Sequence, residues 1–230
     1  MARLPRSLTV LPGFSVHKIW RGHNRENNLN TPEEKSNYLQ FLNEDLESEK
    51  FQSGAVINAL TLMSNHAHEI FEIGNPDQFS NHMRRHHSRF GAYFNRTHQR
   101  SGKVAEDRPK TCLLENERSQ MIATFYVHAN PVRAKMVRNA CQYPWSTHRF
   151  YAFGKRAEWM RNIVLPSWYR KLGKNNVDRQ RKYRKLFDAY IKREGLAALP
   201  QLLSHSFGSP LWQLARNELV QRWHREQRPP

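Results

Sequence analysis

Apolar positions along this chain alternate between a period of two and a period near 3.6, and the changes of period mark out its elements. Phe14 to Trp20 is a short β-prone run, closed by the polar turn Arg21-Gly22-His23-Asn24-Arg25. Thr31-Pro32-Glu33-Glu34 has the form of a capping box with proline at the first helical position, and it opens a helix to about Lys50 whose apolar stripe is Tyr38, Phe41, Leu42 and Leu46. Gly54 to Met63 is apolar and β-branched, suited to a central strand. Ala67 to Ile73 follows as a second strand after the Ser64-Asn65 break, unless the two form one long strand with a bulge. Asn75-Pro76 starts another helix, with Phe79, Met83, Phe90, Tyr93 and Phe94 at helical spacing and arginines on the opposite side. A loop containing Gly102 leads to the short strand Thr111 to Leu114. Asn116 then caps a helix that carries Tyr126 and is predicted to end near Asn130, because Pro131 disfavours helical geometry in the residue before it.

Strand, helix, strand, strand, helix, strand, helix is the order of an α+β sandwich, and the reading is a ferredoxin-like fold over residues 1–154, an antiparallel sheet with helices on one face. Residues 155–230 are predicted to form a basic helical extension. Val177 to Arg193 is one helix, and Ser209-Pro210 caps a last one with Leu211, Ala215, Leu219 and Trp223 on one face; Arg228-Pro229-Pro230 should fray.

Charge narrows the choice of partner. The 230 residues hold 37 Lys+Arg against 20 Asp+Glu, a net charge of +17 and a pI near 10.3, which point to a polyanion, nucleic acid first. The charge is segregated: acids gather at Glu33, Glu34, Glu44, Asp45, Glu47 and Glu49, whereas bases dominate 84–110 and 155–193. The basic extension interleaves Trp159, Trp168, Tyr169, Tyr183 and Tyr190, a mix suited to phosphate contact and base stacking. Cys112 and Cys141 are far apart and lack metal-site spacing, which fits a reducing cytoplasm. Phe51 to His68, the longest stretch free of acidic and basic residues, is too polar to span a membrane, and the N-terminus lacks the apolar core of a signal peptide.

The chemistry resides in two segments. His66 and His68, two apart on a strand, point to one face. Tyr126 and Asn130, four apart on a helix, share another. Leu62-Met63-Ser64-Asn65-His66-Ala67-His68 resembles the HUH motif of single-tyrosine transposases, and Tyr126-Val127-His128-Ala129-Asn130-Pro131-Val132-Arg133-Ala134 resembles the nucleophile helix of their REP-associated branch. Arg21 to Arg25, the stretch from Tyr93-Phe94-Asn95-Arg96 to Arg100-Ser101-Gly102, and Tyr143-Pro144-Trp145-Ser146 resemble flanking segments in the same order, so the likeness runs from about Val16 to Phe153.

That resemblance implies a DNA endonuclease and strand transferase acting on single-stranded or hairpin DNA. His66, His68 and Asn130 would hold a divalent metal, Mg²⁺ or Mn²⁺, and Tyr126 would form a 5′-phosphotyrosine. It leaves monomer or homodimer open and names no general base. His128, two residues after Tyr126, should pack or order the helix end. The alternatives are a catalytically silent DNA- or RNA-binding module on the same fold and a hydrolase that uses activated water. His82, His86 and His87, interleaved with Arg84, Arg85 and Arg89, read as solvated or DNA-facing rather than metal-binding. Two positions depart from the family pattern beside the motif: Ala67 is small, and Glu69 replaces an aliphatic and should face away from the histidines.

Overall fold

The computed structural model describes residues 4–48, 54–194 and 199–226; the predicted fraying of Arg228 to Pro230 and the helix end near Lys50 lie outside them. A short helix α1 (Arg6–Thr9) precedes β1 (Ser15–Arg21), α2 (Pro32–Glu47), β2 (Ala55–Leu62), β3 (His66–Ile73), α3 (Pro76–Thr97), β4 (Lys110–Leu114) and α4 (Glu117–Arg133). Then come α5 (His148–Phe153), α6 (Ser167–Arg170), α7 (Asn176–Glu194), β5 (Ser206–Phe207) and α8 (Pro210–Glu226). The helix starts follow the sequence signals. Thr31 and Glu34 form a reciprocal capping box, and Asn75 and Asn116 accept from the first free backbone N–H groups of α3 and α4.

The sheet order is β2-β3-β1-β4-β5, antiparallel except for β5, which adds to β4 in parallel. Residues 55–73 are two strands, and the bulge lies in β2 between Ile57 and Ala59. Alternation along β1 and β3 divides the core. Val16, Trp20, Ala67 and Phe71 join Tyr38, Leu39 and Leu42 of α2 and Phe79, Met83 and Phe90 of α3 in one cluster; Ala59, Ile70, Cys112 and Leu114 join Ala123, Phe125, Tyr126 and Val127 of α4 in the other. One face for the helices thus holds for α2 and α3 only. Helix α4 is buried without a break from Ala123 through Pro131, Thr124, His128 and Asn130 included, and is enclosed between the sheet's other face and later helices.

Those later helices come from the extension. Trp168, Tyr169, Tyr183, Phe187, Tyr190 and Leu202 belong to the same cluster as Phe125 and Tyr151. The aromatic residues expected to stack on bases are therefore interior: Trp168, Tyr169, Tyr183 and Tyr190 are buried, and Trp159 packs on the other cluster. Burying this much aromatic area outweighs keeping it for a ligand. The predicted stripe of α8 is also corrected. Leu211 and Leu219 are exposed, while Arg216 and Val220 are buried. The edge of β2 is closed by the Tyr143 to Thr147 segment, through Leu62 N–H to the Trp145 carbonyl, Thr147 N–H to the Leu60 carbonyl and Tyr143 Oη to the Leu62 carbonyl at 2.6 Å.

Candidate active site

β1 lies between β3 and β4, so its residues meet the histidine strand directly. Ile19 pairs with His68 and Arg21 with His66, which places His17 diagonal to His68 on the same face. The His17 and His68 rings lie within 15° of parallel with centroids 5.0 Å apart and meet edge to edge, His17 Nε2 2.9 Å from His68 Nδ1. On its far side His17 Nδ1 is 3.2 Å from the carbonyl of Leu202. The His66 and His68 rings lie 4.8 Å apart, and His66 Nδ1 is 2.5 Å from Asn65 Oδ1. Asn65 is held in turn by the Arg21 to Arg25 turn, since its carbonyl accepts from Gly22 N–H at 2.9 Å. Gly22 is required there: a Cβ would sit 2.4 Å from the Glu26 carbonyl oxygen.

Helix α4 presents Tyr126 to this group. Its ring stands edge-on to His68 at 5.7 Å and to His17 at 5.9 Å. Arg133 covers the ring, its guanidinium carbon 4.4 Å from the centroid, and donates to Asn130 Oδ1 at 2.9 Å. These contacts need α4 to continue beyond Asn130. It does, with Pro131 inside the helix, and the last turn is closed by Ala134 N–H to the Asn130 carbonyl at 2.8 Å and Met136 N–H to the Pro131 carbonyl at 2.9 Å. Proline costs one helical hydrogen bond near the end of a buried helix, which packing and these closing bonds offset.

The electrostatics are those of buried neutral rings beside cations. Burial lowers His17 and His66 to about 4 and His68 well below the ordinary histidine range, so all three are neutral at pH 7. Burial raises the Tyr126 phenol, while Arg133 and Arg21 pull it down. His66 and His68 each engage Nδ1 with a protein partner, and Asn130 Oδ1, the amide atom able to ligate a cation, accepts from Arg133. Two imidazoles and an amide oxygen suit a divalent cation that leaves positions open for phosphate oxygens. Among the described residues no group of three His, Cys, Asp or Glu side chains could hold a metal.

The other candidates take structural places. His128 is fully buried, with Nδ1 2.6 Å from Tyr183 Oη and Nε2 2.7 Å from Thr147 Oγ1, and so ties α4 to α7. Glu69 faces away from the histidines as alternation requires, paired with Lys18 and accepting from Tyr38 Oη at 2.9 Å. His82 and His86 are buried rather than solvated or DNA-facing, because they lie on the inner face of α3 near Tyr38 and Phe71. His17 stands outside the sequence motifs, and Arg21 and Arg133 stand within them without a role assigned. A signal exists for each: His17 and Arg21 share a strand face, and Arg133 follows Asn130 by three and Tyr126 by seven.

A solved structure of a REP-associated tyrosine transposase bound to a REP hairpin superposes with a TM-score of 0.54 at 20% identity, over 73% of this chain and 96% of that one. This chain shares the fold of that structure. No family model matches the sequence, and no curated protein does. The two chains differ at four of every five aligned positions, so the agreement is one of backbone fold. Among the described residues no helix is long and apolar enough to cross a membrane.

Proposed function

We propose that this chain is a metal-assisted single-tyrosine DNA endonuclease and strand transferase acting on single-stranded or hairpin DNA. Tyr126 is the nucleophile, and His66, His68 and Asn130 hold the divalent ion. The observation that carries the reading is Tyr126 packed edge-on to His68 beneath Arg133. The fold shared with a tyrosine transposase solved on a REP hairpin supports the substrate class, as does the +17 charge.

The phenolic oxygen of Tyr126 forms a bond to the scissile phosphorus while the bond from phosphorus to the departing 3′ oxygen breaks. The phenol gives up its proton, the 3′ oxygen ends as a hydroxyl, and a later attack by a 3′-hydroxyl on the phosphotyrosine reverses the exchange. Arg133 and Arg21 favour the phenolate and the anionic phosphate against the burial that opposes them. Asn65 holds the ring of His66. A bound divalent ion supplies Lewis-acid polarisation of the phosphate. The extension offers DNA its charge, not its buried aromatics.

The test is incubation with single-stranded DNA from the gene's own flanks and Mg²⁺ or Mn²⁺, followed by a denaturing gel. A covalent adduct is expected, and Tyr126→Phe should abolish it without loss of fold or DNA affinity. An adduct persisting in that variant would move the nucleophile to another tyrosine. Cleavage without an adduct would favour the hydrolase, and binding without cleavage the silent module.

A further inference from the structure

We infer that His17 is a positioning residue that fixes His68 as the tautomer able to take a metal ion, and that the extension sets this state through the carbonyl of Leu202. The inference rests on the proposed metal role of His68. The chain of hydrogen bonds has one consistent arrangement. A carbonyl oxygen can only accept, so the contact between Leu202 and His17 Nδ1 at 3.2 Å requires the proton on that nitrogen. A neutral imidazole carries a single N–H, which leaves His17 Nε2 bare. At 2.9 Å from His68 Nδ1, that nitrogen must accept, and His68 therefore carries its proton on Nδ1. The lone pair on His68 Nε2 is then free for an ion.

The relay is enclosed. His17 is 0% and His68 3% exposed, and Leu202 is fully buried in the turn Pro200–Leu203, so water does not compete for these atoms. The parallel pairing of β5 with β4 holds that turn against β1, through Leu113 N–H to the His205 carbonyl at 3.0 Å. A ligand histidine that donates its second N–H to a fixed acceptor is oriented and made a better donor, and loss of such a partner typically lowers metal affinity by about 10–100-fold. Here the acceptor is a histidine whose own state is set by a backbone carbonyl 185 residues further along the chain.

Two measurements test the relay on the full chain. Long-range ¹H–¹⁵N NMR of ¹⁵N-histidine protein should show His68 protonated on Nδ1 and bare on Nε2. His68 protonated on Nε2 in the unmodified protein would overturn the inference without any variant. Calorimetric Mn²⁺ binding should weaken by about 10–100-fold in His17→Leu, with His68 shifting toward the Nε2–H form. His17→Gln should restore both, because its amide can donate to Leu202 and accept from His68. Unchanged Mn²⁺ affinity in His17→Leu, or equal loss in His17→Leu and His17→Gln, would reduce His17 to a packing residue. Failure of the unmodified protein to bind Mn²⁺ while His68 shows the expected tautomer would count against the proposed metal site and leave the hydrogen-bond relay standing.

Discussion

A chain cut after Gly154 keeps Tyr126, His66, His68 and Asn130, yet it should not fold into a stable domain. On the retained side Phe125 loses Trp168, Tyr183, Phe187 and Tyr190, which now meet its ring at 5.6–6.0 Å, and Tyr151 loses Trp168, Tyr169 and Tyr183 at 4.9–6.0 Å. Leu114 loses its β5 partner Phe207, and β4 becomes an open edge. Exposing three large side chains that are now at most 3% accessible costs roughly 1.5–3 kcal/mol each, about 5–9 kcal/mol together. The whole stability of a typical domain is about 5–15 kcal/mol. The expected product is insoluble, or soluble without a cooperative urea transition and with a dye-binding apolar surface. Urea unfolding by fluorescence and circular dichroism is the assay. A soluble 1–154 fragment with a sigmoidal transition and a midpoint near that of the full chain would refute the reasoning and make the extension a separable arm.

Lys18→Met or Glu69→Leu alone should destabilise by about 3–5 kcal/mol, because each leaves a fully buried charge without its partner, whereas the double variant should come close to the parent in urea midpoint. Arg133→Gln should slow adduct formation by about 10²-fold with the fold intact, through loss of the cation over Tyr126; single-turnover gels would show it, and an unchanged rate would remove Arg133 from the reaction. Stability should fall in mild acid. His82 and His148, held by burial at about 3 and about 4 against 6.5 when unfolded, take up protons first in the unfolded chain, so each costs about 1.4 kcal/mol per pH unit as pH drops below 6.5 toward those values. Urea midpoints at pH 7.5 and 5.5 measure it, and a flat profile would contradict the burial of these rings.

Local rules settled what local forces control. Thr31, Asn75 and Asn116 start their helices because capping involves only the next few backbone N–H groups. The shared face of His66 and His68, the opposite face of Glu69 and the one-turn spacing of Tyr126 and Asn130 follow from the periods of strand and helix. Resemblance along the motif order led to the α+β fold, which the superposition bears out. What sequence could not decide is long-range. The arrival of His17 beside His68 needs β1 to lie between β3 and β4 in one register, and a one-residue slip would turn His17 to the other face. The run of α4 past Pro131, the interior fate of His82 and His86, and the burial of the extension's aromatics depend on what packs around them. Composition marked Trp168, Tyr169 and Tyr183 for bases, but the sheet and α4 had already supplied an apolar surface for them, and covering it is the larger free-energy gain.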